Sequence, residues 1–176
     1  VIYVGLNDGD RAWHDLYRLR ISTGERELVR QTTDRIAGYL FDTQDQLRLA
    51  GRISNGGDTE LLRIDPQGVT KIYECSVLED CNAIRFHKDG KRVYITSNKG
   101  DVNLVGLALL DVTSGAIEPV ESDPEQRVDF GSALFSDLTD ELVGTAYVDD
   151  RVRVYFRDPA RKAEYEFLKS KYPNRQ

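Results

Sequence analysis

The sequence predicts an all-β chain: a partial β-propeller of about three to four antiparallel four-stranded blades, followed by one short C-terminal helix. Three observations carry this. Turn signals of two kinds alternate along the chain with one period. Short apolar runs of strand length fill the gaps between them. A helix-start signal, Asp158-Pro159, appears near the end.

The first turn kind reads Asn7-Asp8-Gly9-Asp10, Asn55-Gly56-Gly57-Asp58, Asn98-Lys99-Gly100-Asp101 and, less completely, Asp149-Asp150; the last Asp residues are about 48, 43 and 49 residues apart. The second kind reads Ser22-Thr23-Gly24, Asp65-Pro66-Gln67-Gly68 and Thr113-Ser114-Gly115, with steps of about 44 and 47 between the glycines. A third marker, an apolar run ending in Phe, falls at Phe41, Phe86 and Phe135, again about one period apart. Three markers in one order and one period, near 40–50 residues, describe propeller blades.

Within each repeat the strands are lettered a to d from the inside outwards. A partial first blade has b at 1–6, c at 16–21 and d at 25–30. The second has a at 36–41, b at 47–53, c at 60–64 and d at 70–74. The third has a at 83–86, b at 92–96, c at 104–110 and d at 117–120. The last has a at 128–135, b at 141–147 and c at 151–156. The blades therefore span roughly 1–31, 32–78, 79–122 and 123–157, and a helical insert covers 158–172. In that insert Asp158 is the N-cap, Pro159 takes the first helical position, and Ala160, Ala163, Phe167 and Leu168 form an apolar stripe. So few blades cannot close a ring, and open strand edges invite association. The absence of Met and the start on Val1-Ile2-Tyr3-Val4 also suggest a segment of a longer protein.

Composition narrows the function classes. The net charge of −6 argues against a nucleic-acid partner. No run of 18 apolar residues exists, so no membrane span is expected. Cys75 and Cys81 enclose five residues; the pair fits a disulfide, two inert thiols or half a metal site.

No catalytic constellation is legible. No G-x-S-x-G elbow, P-loop, H-E-x-x-H or dinucleotide fingerprint occurs, and no catalytic residue, metal ligand or cofactor is assigned. The histidines are His14 and His87. Neighbours on a strand point to opposite faces, so His14-Asp15 makes a poor catalytic dyad; the pair remains the candidate for an inter-blade hydrogen bond or for substrate contact. The Asn-x-Gly-Asp turns resemble calcium loops but lack a distal bidentate Glu, and hairpins want the same residues. Arg18, Arg20, Arg48, Arg52, Arg63, Arg151 and Arg153 fall on strands, where solvated faces or inter-blade ion pairs are expected over an inward anion-binding ring. Tyr39, Phe41, Phe86, Phe130, Phe135 and Tyr147 are expected to pack between blades.

Several strings carry a family resemblance: Asn7-Asp8-x-Asp10 with His14-Asp15-Leu16-Tyr17 and Thr23-Gly24-Glu25, then 86–94, Arg127-Val128-Asp129-Phe130, and the helix after Phe156-Arg157-Asp158-Pro159. They resemble the TolB-like propeller domain of bacterial prolyl oligopeptidase family serine peptidases, of the dipeptidyl aminopeptidase and acylaminoacyl peptidase kind. The resemblance implies a parent enzyme whose α/β-hydrolase domain holds the Ser-Asp-His triad. No such domain is present in these residues, so no family catalytic residue carries over. The implied role is non-catalytic: a cap over the hydrolase site that filters short peptide substrates by size. The alternative is a TolB-like interaction propeller with no enzymatic domain. The compartment, cytoplasmic or periplasmic and secreted, would be set by the N-terminus of the parent.

Overall fold

Residues 1–32, 35–100 and 102–172 are described by a computed structural model. They form fourteen strands and one helix. The chain divides into two compact units, Val1–Leu78 and Glu79–Gln176.

The first unit holds two antiparallel sheets. One runs β1 (Ile2–Asp10), β2 (Trp13–Leu19), β3 (Arg26–Arg30), and the other β4 (Ile36–Phe41), β5 (Leu47–Ile53), β6 (Thr59–Asp65), β7 (Gly68–Cys75). The second unit repeats the plan. One sheet contains β8 (Cys81–Phe86), β9 (Arg92–Ser97), β10 (Gly106–Asp111) and β11 (Ile117–Glu121). The other contains β12 (Ser132–Phe135), β13 (Leu142–Val148) and β14 (Val152–Phe156), and α1 (Pro159–Lys171) follows it. Every sheet is a meander in chain order, as expected of partial propeller blades.

Turn chemistry explains the repetition. At the two complete b–c hairpins Gly57 and Gly100 have φ of 93° and 90°. At two c–d hairpins Gly24 and Gly115 have φ of 72° and 74°. A Cβ would be strained in that left-handed region, so the same residue type recurs at the same step. Asp101, the last residue of one such turn, lies outside the described residues.

The first Asn-Gly-Asp string is an exception. The expected turn at Asn7–Asp10 is strand: β1 continues to Asp10, with its register shifting between Leu6 and Asp10, and Ala12 N–H donates to Asp10 Oδ1 at 2.8 Å. Gly9 serves close approach there, because a Cβ at Gly9 would lie 2.7 Å from Asp15 Oδ2. The strand expected over 128–135 is shorter too, starting at Ser132. Residues before it are drawn to the neighbouring sheet: Phe130 N–H donates to the Val105 carbonyl at 2.8 Å, and Val105 N–H donates to Asp129 Oδ1 at 2.8 Å.

The sheets of each unit lean on each other through aromatic side chains. In the first unit Tyr3 of β1 meets Phe41 of β4, ring centroids 4.2 Å apart. In the second, Tyr94 of β9 meets Phe135 of β12 at 5.1 Å, within a core that includes Leu107, Leu109, Phe130 and Tyr147.

A buried ionic knot lies under that second core. The Arg153 guanidinium on β14 donates to both Asp123 carboxylate oxygens, at 2.7 and 2.8 Å, and to Tyr155 Oη at 2.9 Å. Asp123 also accepts N–H groups from Glu125, Arg127 and Val128. Both side chains are buried, and Arg153 Nε has no hydrogen-bond partner. Of the two placements expected of the strand arginines, solvated face or ion pair, Arg153 takes the ion pair, here buried. Nearby, the Glu121 carboxylate accepts from Thr145, Tyr147 and Arg157. Burial and that carboxylate push the Tyr147 hydroxyl far above its ordinary range.

The N-cap of α1 matches its sequence signal: Asp158 accepts from Ala160 N–H at 2.9 Å, with Pro159 next. No residue of α1 is buried; Tyr165 meets Phe156 of β14, while Phe167 and Leu168 face solvent. Pro173, read as the helix stop, lies outside the described residues. Neither cysteine is free; both are disulfide-bonded, which decides among the three readings of the pair.

Two predictions follow from these contacts. Hydrogen bonds from Arg153 hold the Asp123 carboxyl well below the usual carboxylate range. Its folded pKa is lower than its unfolded one, so its contribution is complete above about pH 4 and is lost as pH falls towards the folded value. Asp123→Asn leaves Arg153 buried without its counter-charge, and at neutral pH it should lower the unfolding midpoint by about 10 °C. The same variant should flatten the acid limb of stability between about pH 2 and 4, measured by urea titrations across pH. Secondly, the denatured, unreduced protein should show no thiol reactive to a chromogenic disulfide reagent, and after reduction both cysteines should react.

Candidate functional site

The first unit carries a groove of about 420 Å³ between the β1–β2 hairpin and β4. Tyr3, His14 and Leu16 form one wall; Ile36, Tyr39 and Phe41 form the other. Alternation places them. Gly5 pairs with Leu16 and Tyr3 with Arg18, so Tyr3, Gly5 and Leu16 share the face turned to β4. Gly5 keeps that face open beside His14, since a Cβ there would sit 3.2 Å from the His14 Cβ.

His14 and Asp15 part company, as neighbours on a strand must. His14 is exposed and lines the groove, whereas Asp15 is buried and does not. Asp15 Oδ1 accepts the Thr32 N–H at 2.6 Å. The Thr32 hydroxyl donates to the His14 carbonyl at 2.6 Å and lies 2.9 Å from Tyr39 Oη. With the Thr32 proton committed to the carbonyl, Tyr39 is the donor in that last bond. Asp15 thus anchors the segment that leaves one sheet and enters the next. Thr32 and Tyr39 complete a polar bridge between the two. Sequence reading singled out Tyr39 only as a packing aromatic and passed over Thr32. A buried Asp in a strand was the available signal, because it requires donors.

His87 is a turn residue. Its Nδ1 lies 3.2 Å from Asp89 N and 2.9 Å from Asp89 Oδ2, and its ring packs on Tyr94 at 5.7 Å. The strand arginines pair with acids: Arg18 with Glu27, Arg20 with Glu25, Arg48 with Asp42, Arg52 with Glu60, and Arg63 with Asp65. Among the described residues no group of three His, Cys, Asp or Glu side chains could hold a metal ion, and no helix is long and apolar enough to cross a membrane. The groove can take an apolar ligand: it offers aromatic walls, one imidazole and the two phenols of Tyr3 and Tyr39.

Thr32→Val should remove both hydroxyl bonds from this bridge while preserving volume, and should cost about 2 kcal/mol in chemical denaturation. Thr32→Ser should restore most of it. An unchanged midpoint for Thr32→Val would mean that the bridge contributes nothing.

No protein-family model matches the chain. In sequence it is 32% identical over 174 residues to dipeptidyl aminopeptidase BIII of Pseudoxanthomonas mexicana, across 96% of this chain and 24% of that protein. The chain thus spans about a quarter of the length of that relative. In structure it is similar to TolB from Acinetobacter baumannii, with a TM-score of 0.59 and 18% identity over 82% of this chain and 35% of TolB. At that identity the likeness speaks for the fold alone. In fold, then, the chain is a partial TolB-like β-propeller, and in sequence it is similar to one quarter of a dipeptidyl aminopeptidase.

Proposed function

We propose that the chain is the non-catalytic propeller portion of a serine peptidase of the prolyl oligopeptidase family, capping the active site of an α/β-hydrolase domain in the same parent and admitting short peptides by size. The observation that carries this reading is the 32% identity to dipeptidyl aminopeptidase BIII across nearly the whole chain. It is supported by what the blades contain: His87 serves a turn, and Asp15 serves an inter-sheet bridge. The physical logic is exclusion. A rigid all-β cover leaves an opening that a short flexible peptide can thread and a folded chain cannot.

The test uses both forms of the protein. The 176-residue chain alone should leave chromogenic dipeptidyl substrates intact. The full-length parent should cleave them and spare folded proteins. Asp123→Asn in the parent, which loosens the second unit, should admit longer peptides. Turnover by the isolated chain, or a parent without a G-x-S-x-G hydrolase segment, would refute the reading. The second of these would favour a TolB-like interaction propeller.

A further inference from the structure

The hairpin between β5 and β6 brings several groups to bear on one side-chain amide. It reads Ser54-Asn55-Gly56-Gly57-Asp58, with Asn55 and Gly56 exposed. The Arg35 guanidinium reaches it from the segment before β4. Its Nη1 donates to Asn55 Oδ1 at 2.6 Å, and the group lies over the Trp13 ring, 5.4 Å from the centroid. Arg35 itself is held at a φ of 59°, in the left-handed region that residues with a Cβ rarely adopt. Among the described residues its guanidinium has no carboxylate partner, whereas Arg48, Arg52 and Arg63 each have one. On the other side, the Gly56 N–H donates to Ser54 Oγ at 3.1 Å, and the Ser54 hydroxyl donates to Asp58 Oδ2 at 3.2 Å. A cation thus polarises the Asn55 amide, and a proton path leads from the next backbone nitrogen to a carboxylate. Gly56 leaves that path uncrowded, since a Cβ there would lie 3.2 Å from Asp58 Oδ2.

The equivalent hairpin between β9 and β10 supplies a comparison within the chain. It reads Ser97-Asn98-Lys99-Gly100, and the Lys99 N–H donates to Ser97 Oγ at 3.1 Å, as Gly56 does to Ser54. The serine brace therefore belongs to the turn. Asn98 differs in the other two respects. Its Oδ1 accepts a backbone N–H, from Asp80 at 2.7 Å, in place of a guanidinium, and the residue after it carries a side chain.

We propose that Asn55 is a site of self-catalysed deamidation. The Gly56 nitrogen attacks Asn55 Cγ and closes a five-membered ring, a reaction between neighbours already held together. Its proton passes to Ser54 Oγ as the Ser54 proton passes to Asp58, and Arg35 stabilises the charge that builds on Oδ1. The Cγ–Nδ2 bond then breaks, and Nδ2 leaves as ammonia with the proton returned by Asp58. Water opens the imide at either carbonyl, leaving an aspartate or its β-linked isomer at position 55. The net change is hydrolysis of one amide to a carboxylate and ammonium, without oxidant or reductant. The product carboxylate finds its counter-ion, Arg35, already in place. This inference is independent of the peptidase reading.

The test is incubation of the 176-residue protein at neutral pH and physiological temperature, beside a synthetic peptide copying residues 50–62 in the same buffer. Conversion is read by peptide mapping in a mass spectrometer and by labelling with an isoaspartate-specific methyltransferase. Asn55 should convert about tenfold faster in the folded protein than in the peptide, less than a buried oxyanion donor gives because this hairpin is wet. Asn98 should stay unconverted over the same period. Arg35→Gln keeps a hydrogen-bond donor without the charge and should slow conversion about tenfold. Arg35→Lys should retain most of the rate, and Ser54→Ala, which breaks the proton path, should slow it. The proposal is overturned if the folded protein converts no faster than the peptide, because the hairpin then shields the amide. It is also overturned if Arg35→Gln converts as fast as the unaltered protein, or if Asn98 keeps pace with Asn55. The comparison of protein with peptide involves no substitution, so it decides the matter even if a variant fails to fold.

Discussion

A three- or four-stranded antiparallel sheet cannot bury its own side chains. It has two faces and two edges, and alternation sends apolar groups to both faces. Each sheet here therefore depends on a neighbour, and the contact that recurs is an inner-strand Phe against a Tyr on the second strand of the preceding sheet: Phe41 on Tyr3, and Phe135 on Tyr94. The rest of each unit follows from that lean. Meander topology brings the inner strand of one sheet close after the outer strand of the last, so the connecting segment must cross the stack and satisfy its polar groups on the way.

The two units solve that crossing with different chemistry. In the first, a buried Asp15 receives the Thr32 N–H, and the Thr32 hydroxyl links the His14 carbonyl to Tyr39. In the second, Asp123 gathers three backbone N–H groups and the Arg153 guanidinium. Each device sets a carboxylate against backbone N–H groups, one at Asp15 and three at Asp123, without a repeating side-chain motif.

Function is legible mainly by exclusion and by likeness. Of the acids and bases singled out in the sequence, Asp15 is engaged with Thr32, His87 with its own turn, and strand arginines such as Arg52 with neighbouring carboxylates, while His14 faces the groove. Thr32 escaped notice in the sequence because a single hydroxyl between strands has no periodicity. Arg153 escaped because an arginine on an alternating strand reads as a solvent-facing residue until its partner, thirty residues away, is known.

The sequence by itself determined what depends on local backbone chemistry. Glycine at positive φ marks the hairpins, period-two alternation marks the strands, and Asp158-Pro159 marks the helix. The second inner strand, expected at 36–41, and its neighbour, expected at 47–53, coincide with β4 and β5. Tertiary structure decided what depends on distant partners. It turned Asn7–Asp10 from a turn into strand, because Gly9 makes room for the carboxylate of Asp15. It shortened β12, because Val105 captures the residues before it. It buried Arg153 and left neither cysteine free. A turn is fixed by torsions of a few adjacent residues, whereas burial and pairing are fixed by groups that meet only once the sheets have stacked.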